Sequence, residues 1–138
     1  MRKINEIIIH CSATPEGRNV TVEDIDRWHK ERGFKKIGYH YVIYLDGSIH
    51  KGRDESEIGA HCSLHNGNSI GICYIGGCEK QGKKLIPKDT RTPEQKEALI
   101  ALLQKLAEKY PEATVHGHNE FASKDCPCFD VQKEYKFL

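Results

Sequence analysis

Three consecutive isoleucines, Ile7 to Ile9, run directly into His10 and Cys11. A β-branched stretch this short and this apolar reads as a buried strand over residues 5–11. Such a strand has to be covered, so the rest of the chain is read for what packs on it. Ser12, Ala13, Thr14 and Pro15 close the strand. Thr21 with Asp24 three residues on is a capping-box pattern. The helix it opens carries Ile25, Trp28 and His29, and Gly33 stops it.

Two further strands are predicted at Tyr39–Leu45 and Ser48–Lys51, joined by Asp46-Gly47, a strong hairpin signal. Residues 56–69, rich in Gly, Ser, Asn and His, read as a loop, and residues 70–77 as a strand broken at Gly76-Gly77. Residues 78–91 are polar, contain Pro87, and read as an excursion. Thr92-Pro93-Glu94 starts a long helix, with an N-cap, a proline in the first turn and an acid after it. Leu99, Leu102, Leu103 and Leu106 follow the helical period, and the helix stops before Pro111. Ala113 to His116 is a short strand, and the tail from Asp130 forms a helical turn or two.

The order strand, helix, hairpin, strand, helix, strand predicts the α/β class: a single domain over residues 1–138 with a central mixed β-sheet flanked by helices. A formal net charge of +1 gives no support for a nucleic-acid partner. No apolar run approaches the ~20 residues of a membrane span, so no membrane partner is expected. The N-terminal apolar run is only Ile7 to Ile9, short of the about 7–15 residues of a secretory leader, and the chain reads as cytoplasmic when synthesised. Without a leader, the six cysteines read as buried thiols or metal ligands rather than disulfides.

The chemistry concentrates in VHGHNEFASKDCPCFD, residues 115–130. Residues two apart on a strand share a face, so Val115 is expected to face the core while His116 and His118 face elsewhere together. Histidine and cysteine this dense suggest zinc, in one of two arrangements. His116, His118, Cys126 and Cys128 would make a closed structural site, although C-x-C is tighter than the usual spacing. Alternatively, fewer ligands come from this segment and His10, at the end of the first strand, supplies a distant one, leaving an open position for catalysis.

Several blocks resemble one family: IIIHCSAT at 7–14, GYHYVI at 38–43, DGSIHKGRD at 46–54, IGAHC at 58–62, NSIGICYIGG at 68–77 and GHNEFASKDCPCFD at 117–130. In this order they are similar to the zinc-dependent N-acetylmuramoyl-L-alanine amidases of the amidase-type phage lysozyme group, whose fold peptidoglycan recognition proteins share. The resemblance implies one Zn2+ per chain on His10, His118 and Cys126, with Tyr39 and Lys124 as catalytic residues. Cys128 stands where a small residue is expected, and Cys62 and His65 are further departures. His61, Asn68 and Ser69, in the loop before the central strand, offer donors and acceptors for substrate. The implied reaction is hydrolysis of the amide between N-acetylmuramic acid and L-alanine, on peptidoglycan or a muropeptide, by a monomer. The same fold also hosts non-catalytic binding modules, which can lose the ligand cysteine that this chain keeps as Cys126, and recycling amidases that act on soluble anhydro-muropeptides.

Overall fold

The structure is a computed structural model and describes residues 2–135. The isoleucine run forms β1 (Glu6–Cys11), the strand next to one edge of a five-stranded sheet. It is flanked by β5 (Ser69–Tyr74) and β8 (Thr114–Gly117), both parallel to it. Beyond β5 lie β3 (Tyr41–Ile43), parallel to β5, and β4 (Ile49–Lys51), antiparallel to β3. The sheet is therefore mixed, as expected. Ile7, Ile8 and Ile9 are fully buried because both faces of this sheet are covered.

Alternation along β1 divides its side chains between the two faces. Ile7, Ile9 and Cys11 join a core with Leu99, Leu102, Leu103 and Leu106 of the long helix α2 (Pro93–Lys109). Ile8 and His10 point to the opposite side, where α1 (Val22–Glu31) lies. Both helices start as their sequences predict. The Thr21 hydroxyl accepts from the Asp24 amide at 3.2 Å, and Thr92 with Gln95 forms a second capping box. Gln95 is also buried, donating to the carbonyls of Ile43 and Ile75, so it anchors the start of α2 to the sheet.

Two expectations change. The polar excursion at 78–91 is largely a hairpin, β6 (Gly77–Gln81) and β7 (Lys84–Pro87), which with β2 (Thr14–Pro15) makes a separate three-stranded sheet. Its outer residues are mostly exposed on both faces, so no apolar alternation marked it. The strand predicted at Tyr39–Leu45 is shorter, because the amide of Gly71 is taken by the His40 ring at 3.0 Å instead of by a neighbouring carbonyl. Tyr39 therefore sits ahead of β3 rather than within it. The closing helix α3 (Val131–Tyr135) forms as expected.

Candidate active site

β1 and β8 run parallel and end side by side, and their carboxyl ends open into a cleft, the usual place for a site in such a sheet. His10 projects from the end of β1 on the face away from α2. His118 opens a short 3-10 turn that follows β8 immediately. The two imidazoles meet through their Nδ1 atoms, 3.1 Å apart, although 108 positions separate them in sequence. Cys126 arrives from the closing loop, and its sulfur accepts the backbone N–H of Cys11 at 3.1 Å. One ligand atom from each of His10, His118 and Cys126 lies within 4.8 Å of the others.

The electrostatics suit a metal. Burial holds the His10 imidazole well below its ordinary pKa, and the charges of His61, His118 and Lys124 push the same way. His118 is lowered by burial and then by Lys124. Neutral imidazoles are the form that ligates. Two ring nitrogens held by one tetrahedral zinc at ~2.0–2.1 Å stand about 3.3 Å apart. The observed separation of 3.1 Å fits that spacing.

The closed four-ligand alternative does not form. His116 binds Glu120 Oε1 at 2.8 Å and Thr114 Oγ1 at 2.6 Å, away from His118. The expected shared face fails because β8 ends at Gly117 and the 3-10 turn swings His118 inward. The Cys128 thiol turns to the Gly77 carbonyl at 3.3 Å, and burial raises its pKa to about 12.

Tyr39 and Lys124 both line the cleft. The Tyr39 ring lies 5.1 Å from that of His10, and its hydroxyl is held protonated by burial and by the thiols of Cys73, Cys126 and Cys11. Lys124 is exposed, and its charge acts on both histidines.

His61 reaches the cleft wall, but both its ring nitrogens have protein partners: Nδ1 meets His10 Nε2 at 2.8 Å and Nε2 meets Ser69 Oγ at 3.1 Å. The structure does not bring Ser69 or Asn68 to the cleft. Ser69 is fully buried behind His61, and Asn68 turns out to donate to the Lys3 carbonyl. Asn66 lines the wall instead, its Oδ1 accepting the amides of His61 and Cys62 at 2.9 Å each. Cys62 lines the wall too, while His65 stacks on Phe121 with ring centroids 3.9 Å apart.

The cleft holds about 620 Å³. Among the described residues lining it are two permanent cations, Arg32 and Lys124, and no carboxylate. Arg32, Phe34 and His29 come from the end of α1 and the turn after it. Nothing in the sequence marked them, because each also reads as an ordinary helix-end residue. Arg53 braces this wall by donating to the carbonyls of Ile37 and Ile58 at 2.8 and 2.7 Å, which ties together the segments that lead into Tyr39 and His61.

A family model described as N-acetylmuramoyl-L-alanine amidase matches residues 1–129. The chain belongs to that amidase family. The endolysin of Escherichia phage T7 is 43% identical to this amidase over 127 residues, covering 92% of this chain and 82% of the phage protein. A solved endolysin amidase, LysCS from Clostridium intestinale, superposes with a TM-score of 0.78 at 32% identity, over 91% of this chain and 76% of its own. A mutant of Drosophila PGRP-LB, solved in complex with tracheal cytotoxin, superposes with a TM-score of 0.76 at 27% identity, over 92% and 76% of the two chains. The activity of the amidase is hydrolysis of the amide between N-acetylmuramic acid and L-alanine in peptidoglycan.

Proposed function

We propose that the amidase acts through one zinc ion held by the imidazoles of His10 and His118 and the sulfur of Cys126, with Tyr39 and Lys124 as its catalytic residues. The observation that carries this reading is the pair of buried Nδ1 atoms 3.1 Å apart, in a group whose third member is Cys126. Three protein ligands with a cleft in front of them are the pattern of a catalytic rather than a structural zinc. Held by His10, His118 and Cys126, zinc would supply Lewis-acid chemistry: a more acidic water and a polarised carbonyl.

The chain's own groups supply the rest. Lys124 offers a fixed positive charge to the oxygen that becomes negative as the carbonyl is attacked. Tyr39, protonated and beside His10, orients the attacking water and relays the proton that water gives up to the departing alanine nitrogen, ending protonated as it began. Arg32 and Lys124, with no carboxylate near them on the cleft wall, favour a substrate bearing carboxylates, as a peptide stem does.

The substrate is the wall polymer, in keeping with the endolysin relatives; the PGRP-LB mutant solved with tracheal cytotoxin supports a muropeptide as the alternative. We read the chain as a monomer and as one catalytic domain over residues 1–138; the three candidate ligands lie in one chain, so completing the site calls for no second copy. Its likeness to endolysins supports synthesis in the cytoplasm and action on the wall after release.

The test measures zinc content together with the alanine amino groups freed from purified peptidoglycan. Wild type is expected to hold one zinc per chain and to free alanine. His10→Ala and Cys126→Ser are expected to lose both. Wild type that frees alanine without zinc, even in the presence of a chelator, would sink the metal mechanism.

A further inference from the structure

We propose that His61 is a positioning residue for the metal: its imidazole sets the tautomer and the ring angle of His10 and so raises the affinity for zinc. This rests on the zinc reading above and goes beyond the ligand set.

The geometry assigns the two nitrogens of His10 to different tasks. Nδ1 faces His118 Nδ1 at 3.1 Å, and Nε2 faces His61 Nδ1 at 2.8 Å. A neutral imidazole that offers Nδ1 to a metal carries its proton on Nε2. That N–H has one partner, the lone pair of His61 Nδ1. His61 then carries its own proton on Nε2, where Ser69 Oγ accepts it at 3.1 Å. The protons therefore run in one direction, from His10 to His61 to Ser69, and each hydrogen bond dictates the next. His61 is not a fourth ligand, since it meets the His10 ring at Nε2 while His118 meets it at Nδ1, and it stands outside the candidate ligand group.

The fold is shaped around this ring. Its backbone amide is held by Asn66 Oδ1. Its plane stands at 89° to that of His10, an edge-on approach that aims the Nδ1 lone pair. Gly71, in the middle of β5, lies directly beneath it: a Cβ at that position would stand 2.6 Å from the His61 ring. A Cβ at Gly59 would stand 2.7 Å from His61 Cδ2. Two glycines leave room for an imidazole that holds a ligand by its far nitrogen. Outer partners of this kind commonly contribute about 10–100-fold in metal affinity.

The test is zinc affinity of the full chain, measured by competition with a chromophoric chelator, beside the melting temperature of the metal-free protein. His61→Leu is expected to bind zinc about 10–100-fold more weakly. His61→Asn places an acceptor oxygen where Nδ1 stood and is expected to recover most of the loss. Gly71→Ala removes no polar group, yet is expected to weaken zinc by displacing the ring. Ser69→Ala, a milder change for use if His61→Leu does not fold, is expected to weaken it less and in the same direction. A purely structural His61 would lower the melting temperature and leave zinc affinity unchanged, and that result overturns the proposal. Wild type that takes up no zinc at all overturns the metal reading first, and this inference with it.

Discussion

The backbone N–H of Cys11 donates to the sulfur of Cys126 across 3.1 Å, while the sulfur of Cys128, two residues on, turns to the Gly77 carbonyl. The amide belongs to the residue after His10, so strand β1 holds one ligand directly and a second through its backbone. Cys128 lies 4.0 Å from the Cys11 sulfur and adopts φ 71°, in the left-handed region that favours glycine. Cys126→Ser is therefore expected to abolish zinc retention and hydrolysis. Cys128→Ser is expected to leave both within about twofold of wild type, because it removes no ligand. Metal analysis after exhaustive dialysis, run on both variants, reads the difference. Zinc lost from Cys128→Ser would move the ligand assignment.

Tyr39 and Lys124 flank the histidines without standing among the candidate ligands. Tyr39→Phe keeps the ring against His10 and removes only the hydroxyl. It is expected to keep zinc and to slow hydrolysis by about 10²–10⁴-fold, the usual range for a positioned proton-transfer group. Lys124→Met is expected to keep zinc and to lower kcat by about 10²–10³-fold, as loss of a donor to a developing oxyanion does. A loss confined to KM in the Lys124 variant would assign it to substrate binding instead. Single-turnover hydrolysis of a soluble muropeptide separates these cases.

The parts that could be read from sequence were those decided locally. Thr21-x-x-Asp24 and Thr92-Pro93 mark their helix starts through contacts within one turn, and both boxes form. The isoleucine run identifies β1 because three β-branched apolar residues in a row favour a buried strand over any local alternative. What local pattern could not show was depth. Ser69 and His61 looked like polar loop residues, yet Ser69 is fully buried and His61 nearly so, held by a contact between residues 10 and 61. His118 looked like the companion of His116, but the end of β8 falls between them. His10 meets His118 only because β1 and β8 are neighbours, which no spacing reveals; the family resemblance brought those positions together before the geometry did. The β6–β7 hairpin escaped notice because most of it buries little.

His29 gives the metal-free protein a defined acid sensitivity. Its Nδ1 accepts the Gly38 amide at 2.9 Å, and burial followed by Arg32 and Arg53 lowers its pKa from 6.5 to about 4. On unfolding the imidazole regains its ordinary pKa, so between these values the unfolded chain binds more protons than the folded one. The contribution of His29 is therefore fully present above pH 6.5 and is lost as pH falls through about 4. At its limit the loss is roughly 3 kcal/mol. Urea unfolding of metal-free protein from pH 7 to pH 4 is expected to show the decline. His29→Asn, which keeps an acceptor for Gly38 and cannot titrate, is expected to make it shallower by the share of one histidine, since burial lowers His10, His40, His61 and His118 as well. An unchanged slope in that variant would assign the sensitivity elsewhere.

Arg91 ties the closing segment to the body of the protein, and its loss is expected to reach the site through Phe129. The side chain is fully buried, and all of its N–H groups have acceptors. Asp89 takes Nε and Nη2 at 2.9 Å each, and Glu134 takes Nη1 and Nη2 at 2.6 and 2.8 Å. The Tyr135 hydroxyl accepts from Nη1 at 2.8 Å. The guanidinium carbon also sits 3.5 Å from the centre of the Phe129 ring, three residues after Cys126. Removing one partner of a buried pair costs about 3–5 kcal/mol, and since Asp89 and Glu134 reach water, roughly 2–3 kcal/mol is expected for Arg91→Met. Arg91→Lys is expected to recover only part, because an ammonium cannot fork to two carboxylates and lie flat on a ring. Chemical denaturation gives the stability, and chelator competition on the folded variant gives the consequence: zinc is expected to leave faster than from wild type as the Cys126 loop loosens. Destabilisation with unaltered zinc release would show that Arg91 holds α3 alone and that the ligand loop stands without it.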